Sequence, residues 1–438
     1  MAKVACKLAQ HTVVPKLVPV QVGCSVPLGV EQVIHTLRHV LCSTVSEKRF
    51  VLQVDISNAF NTISRESIVR TVSSFCPFLT PWVSYCLAHS PPLVHGSQRL
   101  LSDEGVQQGD PLGPMLYAIA THEIARRAVE MEGVVWGVWY LDDGILVGSP
   151  EALIAALTFL REKLLELNLK VNTRKCVMWS PGVLEAPSAD TNEIFVPWSK
   201  PITVLGCPFG NEASVVPALA HKMESVQNTC DKLFILKDSQ VSLLLLRACL
   251  GVCKVNFLLR VLPYSRSHGW APQVRACLKK ALDSIVVAPL LEVQWQQASL
   301  PCNSGGLGIR DPVMVAPFAH VASVISVVSH SLLGTSTLLL QSDSLWLAIN
   351  HAAALVRSRI IGDKRIPLAQ WKAARQIELS AKDEVRQWKM QRWWAQIQAS
   401  EQRTSLLNTL PPPRERQRDS EACRIRYLLR GSQSYPRQ

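Results

Sequence analysis

Apolar positions recur along this chain in two rhythms. Leu153, Ala156, Leu157, Leu160, Leu164, Leu165 and Leu167 repeat near every 3.6 residues, which predicts a helix over 153–168. A second helix is expected around 30–42, and a third in the apolar stretch Met115-Leu116-Tyr117-Ala118-Ile119-Ala120. Shorter apolar runs behave differently. Arg49-Phe50-Val51-Leu52-Gln53-Val54 is strand-like, ends in Asp55, and gives way to small and polar residues. Gly137-Val138-Trp139 and Gly144-Ile145-Leu146-Val147 frame the tetrad Tyr140-Leu141-Asp142-Asp143. That pattern predicts two strands joined by a tight acidic turn.

The rest of the chain is organised more coarsely. Residues 1–50 hold short apolar segments punctuated by proline, 51–210 alternate strands and helices, and 62–104 are expected to be mostly helical. Residues 216–300 are expected to be mainly helical, with Leu243–Leu246 and Leu258-Leu259 as apolar faces. From 312 to 342 there is no Asp, Glu, Lys or Arg, a length that could span a bilayer. Pro317, His320, His330 and many Ser and Thr dilute it, and Val321, Val324, Ile325 and Val328 share one helical face. An amphipathic core helix is therefore expected there, and no membrane association.

Composition narrows the class. Of 438 residues, 48% are hydrophobic and 18% charged, enough for a packed core and too few charges for general disorder. The net charge is +12, but residues 357–438 alone hold 18 Lys/Arg against 8 Asp/Glu. The basic character that suits nucleic acid is thus concentrated at the C-terminus. There Trp371, Trp388, Trp393 and Trp394 stand among Arg and Lys. They suit base stacking, or equally a helix that docks its tryptophans and exposes its charges. Pro411-Pro412-Pro413 breaks that helix, and Arg414, Arg416 and Arg418 follow in a cationic end.

The 13 cysteines form no Cys-x-x-Cys pair, which argues for a reducing compartment, and Met1-Ala2-Lys3-Val4 opens no signal peptide. An intracellular location, nuclear or cytoplasmic, is expected. Cys249 and Cys253, and His35 and His39, have four-residue spacing, but two ligands do not make a zinc site. Both pairs are expected to be buried or incidental, the cysteines on an apolar helix.

Asp142 and Asp143 carry the candidate chemistry. Adjacent carboxylates repel unless a cation neutralises them, and Mg²⁺ prefers carboxylate oxygen. A solvated hairpin turn would also hold two acids. A strand that delivers Asp55 to the same place makes a three-acid cluster possible. Two Mg²⁺ ions roughly 3.5–4 Å apart are the apparatus of polymerases and nucleases. Between these acids lies Glu104-Gly105-Val106-Gln107-Gln108-Gly109-Asp110-Pro111-Leu112-Gly113-Pro114, a Gly/Pro loop leading into a helix start, suited to close approach by phosphate.

In this order, Asp55…Phe60, Gln108-Gly109-Asp110-Pro111…Pro114 and Tyr140-Leu141-Asp142-Asp143 resemble motifs A, B and C of reverse transcriptases, closest to those of non-LTR (LINE-type) retrotransposons. Leu167-Asn168-Leu169-Lys170-Val171-Asn172 with Lys175-Cys176 resembles motif D. Val204-Leu205-Gly206-Cys207-Pro208 resembles the primer-grip turn, and Gly305-Gly306-Leu307-Gly308-Ile309-Arg310 a segment beyond the thumb. The likeness covers about residues 20–325.

The resemblance implies an α+β right-hand polymerase with fingers, palm and thumb, an antiparallel palm sheet, and a helical C-terminal region. Its parts would be partial fingers (1–50), a palm (51–215) with finger helices at 62–104, a helical thumb (216–300), and a basic helical region with a flexible end (301–438). Only 54 residues precede Asp55, so the fingers are expected to be truncated at the N-terminus, with Lys3, Lys7 and Lys16 as weak stand-ins for triphosphate contacts.

It further implies RNA-directed DNA synthesis on an RNA template from a DNA primer and dNTPs, with two Mg²⁺ ions (Mn²⁺ as a substitute). Asp55, Asp142 and Asp143 would be the metal ligands, and Phe60 an aromatic gate beneath the nucleotide sugar. Phe60 could equally be a core aromatic. Gln108 and Gly109 would line the nucleotide pocket, and Leu205 and Gly206 would form the primer grip. Lys175 would face the pyrophosphate leaving group, or be a solvated lysine. A non-catalytic relic that binds nucleic acid is the alternative.

Overall fold

The computed structural model of the protein describes residues 2–42, 48–236, 238–300, 302, 306–329 and 343–360. The chain divides into two compact units after Ser214.

The first unit is built on helices α1 (Ala2–Leu17) and α2 (Gly29–Cys42) and strand β1 (Phe50–Val54). Beyond β1 come the two-residue β2 (Ile56–Ser57), the single turn α3 (Ala59–Thr62), α4 (Arg65–Phe75) and α5 (Thr80–Leu87). The hairpin β3 (Pro92–His95)–β4 (Gln98–Leu101) precedes α6 (Gly113–Val129). Then follow β5 (Val134–Tyr140), β6 (Asp143–Gly148), α7 (Pro150–Leu165), β7 (Lys170–Val171) and β8 (Val177–Trp179). The pair β9 (Ile202–Val204) and β10 (Cys207–Phe209) ends the unit.

Four strands form an antiparallel sheet in the order β5-β6-β1-β8. β1 is central, and its apolar side chains are buried, as a continuous apolar run of β-branched and aromatic residues requires. α7 packs on β1 and β6, and α6 on β5, with α1 and α4 against α6. One core joins Leu52, Val54, Leu146, Met115, Leu153, Leu160 and, from α1, Ala9, Val13 and Leu17. The 3.6-residue stripe of α7 is the face that enters this core: Leu153, Ala156, Leu157, Leu160 and Leu164 are buried. Ser149 caps that helix by accepting from the Ala152 amide.

The mostly helical expectation for 62–104 is corrected at its end. Residues 92–101 form a hairpin, where Pro91-Pro92 and the Gly96 turn (φ 61°) suit extended chain and a reversal rather than helix.

The second unit is helical: α8 (Glu212–Asp231), α9 (Ser239–Leu245), α10 (Asn256–Val261), α11 (Tyr264–Val286), α12 (Glu292–Ala298), α13 (Pro312–Ser329) and a last described helix, Asp343–Ile360. Within it α10, α11 and Asp343–Ile360 all pack on α13. That enclosure corrects the expectation of an amphipathic α13. Val321, Ala322, Ser323, Val324, Ile325 and Val328 are all buried, because neighbours cover the helix on several sides. Trp295 is fully buried and donates Nε1–H to Asp311 Oδ2 at 3.0 Å, while Arg275 Nε lies 3.2 Å from the same oxygen.

Cys249 and Cys253 are exposed, so of the two expectations burial is corrected, and they do not share one regular helix. A π-turn at Leu246–Leu250, the extended Gly251 and a 3₁₀ turn at Val252–Lys254 break the helix between them. By length and composition Ser239–Val261 could cross a membrane, but this break falls inside it. Gly305, His330 and the Trp- and Arg-rich tail lie outside the described residues.

Candidate active site

Three strand ends meet at one edge of the sheet. β1 pairs with β6 from Phe50↔Gly148 to Val54↔Gly144, so Asp55 and Asp143 leave the ladder on neighbouring strands at the same level. β5 and β6 close on the pair Tyr140↔Asp143, leaving Leu141 and Asp142 as the central residues of a two-residue turn. Asp143 and Gly144 thus belong to β6. The turn falls two residues earlier than a turn centred on Asp143-Gly144 would. Its left-handed residue is Leu141, at φ 58°.

The acids act on one another. Partial desolvation, followed by the charges of Asp142 and then Asp55, pushes the Asp143 carboxyl up to about 6. Desolvation, reinforced by Asp55, also raises Asp142, while its own backbone N–H partly offsets this. Among the described residues no three His, Cys, Asp or Glu side chains already form a metal cage. The donor set nevertheless fits a divalent cation, because three carboxylates at adjoining strand ends destabilise one another's charge until a cation offsets it.

Phe60, half-buried on α3, stacks on Tyr117 of α6 with ring centroids 4.7 Å apart and planes tilted by 34°. Tyr117 is fully buried and its hydroxyl makes no hydrogen bond to a described residue. Burial pushes that hydroxyl well above the usual tyrosine range, and the charges of Asp142 and Asp143 push it further.

The Gly/Pro loop is tied to this aromatic pair through the backbone. Val106 N–H donates to Phe60 O at 2.7 Å, and Gly105 N–H to Ile63 O at 2.9 Å. Arg65 braces the same loop, donating to Gly105 O, His89 O and Ser102 Oγ. Gln108 and Gly109 follow, exposed, with Gly109 at φ 94°. Asp110 is occupied in the turn that leads into α6: its Oδ1 accepts from Leu112 N–H, and its carbonyl accepts from Gly113 N–H.

β7 pairs with β2, and Asn172 N–H donates to Asp55 O at 2.8 Å. The Cys176 thiol, raised by burial, also feels the Asp55 charge. Lys175 stands between these two residues with an exposed side chain. β9 and β10 are joined by Leu205 (φ 45°) and Gly206 (φ 81°), a two-residue turn of the type I′ form that suits strand twist. Gln53 of β1 donates Nε2–H to Thr203 O at 3.0 Å, fastening this hairpin to the central strand. The structure therefore brings Asp55, Asp142 and Asp143 together. It links Phe60, Gln108, Gly109, Lys175, Leu205 and Gly206 to them through neighbouring backbone.

Sequence reasoning missed two residues at this site. Tyr117 was read only as part of an apolar helix. Gln21, a lone polar residue in Val20-Gln21-Val22, is 1% exposed and hydrogen-bonds the turn between Tyr140 and Asp142. A buried polar side chain in an apolar run is the signal that could have found it.

The family of reverse transcriptases (RNA-dependent DNA polymerases) matches residues 1–209. The retrotransposable element SLACS 132 kDa protein of Trypanosoma brucei gambiense is 25% identical over 291 residues, 62% of this chain. The chain spans 23% of that relative's length. Among solved structures, telomerase from Candida albicans in complex with a TWJ fragment of telomeric RNA aligns at TM-score 0.42 and 12% identity. It covers 84% of this chain and 55% of its own. Apo telomerase from Candida tropicalis aligns at TM-score 0.38 and 10% identity, covering 85% and 60%.

Proposed function

We propose, from the premise that residues 1–209 are a reverse transcriptase domain of the non-LTR retrotransposon kind, that this chain extends a DNA primer with dNTPs on an RNA template. The sheet is then the palm of a right-hand polymerase. The observation that carries the reading is the β1–β6 register, which delivers Asp55 beside the Asp142–Asp143 hairpin end.

Asp55, Asp142 and Asp143 would hold two divalent ions, Mg²⁺ or in its place Mn²⁺. When bound, such ions favour the ionised primer 3′-hydroxyl and offset charge on the departing pyrophosphate. The remaining work falls to the chain's own residues, chiefly positioning. Phe60, backed by Tyr117, presents its ring beneath the sugar, where a 2′-hydroxyl would clash. Gln108 and Gly109 line the nucleotide's approach, and the positive φ of Gly109 lets backbone come close to it. Lys175, with its exposed side chain, would offset charge on the leaving group, and the Leu205-Gly206 turn would hold the primer end.

Primer extension on an RNA template with Mg²⁺ or Mn²⁺ tests this. Wild type should incorporate dNTPs and Asp142→Ala should lose incorporation while remaining folded. Template-dependent extension by Asp142→Ala would refute the assignment. Nucleic-acid binding without any extension by wild type would leave a binding relic instead.

A further inference from the structure

We propose that Gln21 is a positioning residue for the acidic turn: its side-chain amide holds the backbone of Leu141 and so sets the direction in which Asp142 points. The inference rests on the polymerase reading of the acids given above.

The contact is specific in its chemistry. Gln21 Oε1 accepts from Leu141 N–H at 2.8 Å and from Gly23 N–H at 3.0 Å, while its Nε2 donates to Leu141 O at 3.1 Å. One amide thus satisfies both backbone groups of a single residue 120 positions away. A carboxylate could not donate and a thioether could do neither. Burial raises the stakes, since a backbone group left unmet there keeps its full desolvation cost.

Leu141 needs such a hold. Its φ of 58° is a left-handed conformation that is unfavourable for a non-glycine residue and persists where surroundings over-determine it. The flanking backbone supplies the rest of the brace. Val22 N–H donates to Trp139 O at 2.9 Å, and Trp139 N–H to Val20 O at 2.6 Å. Gly23 permits the close approach: a Cβ there would lie 2.5 Å from the Leu141 nitrogen and 2.9 Å from the Tyr140 carbonyl carbon. The segment Val20–Gly23 therefore grips the turn rather than merely passing it, and Gln21 is the part of the grip that reaches the residue before Asp142.

Gln21→Met in the full chain keeps the volume and removes the three bonds. Three readouts decide the matter: Mn²⁺ binding by electron paramagnetic resonance, steady-state extension, and amide exchange of the peptide containing Leu141. We expect Mn²⁺ affinity and kcat to fall at least about tenfold, as for other residues that orient a metal ligand. The KM for dNTP should stay within about threefold, because the nucleotide pocket is untouched. Exchange at the turn should accelerate.

If Gln21→Met does not fold, Gln21→Glu decides by the same readouts, since it keeps an acceptor and loses the donor. Wild-type Mn²⁺ affinity, kcat and exchange in a folded variant would overturn the proposal. The polymerase reading fails separately, if wild type neither extends a primer nor binds Mn²⁺ in a way that Asp142→Ala abolishes. Turn exchange alone then decides whether Gln21 is the clamp.

Discussion

The ring of Phe60 lies on the ring of Tyr117, centroids 4.7 Å apart, and the Tyr117 hydroxyl is buried below with no described hydrogen-bond partner. A buried hydroxyl that donates to nothing is a cost, of order 1–3 kcal/mol. Tyr117→Phe keeps the stacking and deletes that cost. The variant should therefore be as stable as wild type or up to about 2 kcal/mol more stable in denaturant unfolding. A loss of more than about 1 kcal/mol would mean that the hydroxyl has a partner.

The raised Asp143 carboxyl makes a pH prediction with a definite sign. Its folded value of about 6 lies above the unfolded value of about 3.9, so the folded state holds the proton more tightly. Stability of the metal-free protein from this group is present below pH 4 and lost as pH rises towards 6. A divalent cation competes with that proton, so the thermal upshift on adding Mg²⁺ should grow across pH 5 to 7 and level off above. Asp143→Asn should flatten both trends. A Mg²⁺ upshift independent of pH in wild type would contradict the electrostatic account of the site.

How much of this was legible in the sequence depends on the range of the interactions. Asp55, Asp142 and Asp143 stood out because each follows or interrupts a short apolar run, and β1, β5 and β6 form where those runs lie. The Gly105–Pro114 loop stood out through its glycines and prolines, and the stripe on α7 through its period. The turn's left-handed Leu141 was not legible, since leucine seldom adopts that conformation and Asp143-Gly144 advertised a turn two residues later. Its remedy, Gln21, is 120 residues distant, and no local pattern encodes such a pairing. The buried circumference of α13 and the break at Gly251 were hidden for the same reason: both are set by what packs around the helices.

Phe60 offers a test of nucleotide choice. Its ring is half-buried, fixed from below by Tyr117, and its carbonyl is fixed by Val106 N–H at 2.7 Å. Phe60→Val keeps an apolar residue on the short helix and shortens the side chain. As a gate, Phe60 should give way to better ribonucleotide use, with the dNTP-over-rNTP ratio of kcat/KM falling by roughly tenfold or more. Competition in single-nucleotide extension measures it. An unchanged ratio with reduced stability would make Phe60 a core residue only.

Gly105 joins the loop to the same aromatic. It sits at φ 69°, and a Cβ on it would lie 2.5 Å from the carbonyl oxygens of both Phe60 and Asn61. Neither obstacle can rotate away, since both are backbone, and Gly105 N–H is already committed to Ile63 O. Gly105→Ala must therefore adopt a strained φ and push the loop from α3. The expected cost is about 1–3 kcal/mol of unfolding free energy. Displacement of Phe60 should also appear in function, as a higher KM for dNTP with the Mg²⁺ dependence unchanged, because the acids hang on β1 and β6 rather than on this loop. Gly109→Ala is the control. Gly109 also has positive φ, at 94°, but a Cβ there meets nothing within 4 Å, so it carries the backbone strain without the collision. Equal losses of stability from the two substitutions would show that strain alone, and not the packing of Gly105 against Phe60 and Asn61, sets the glycine requirement.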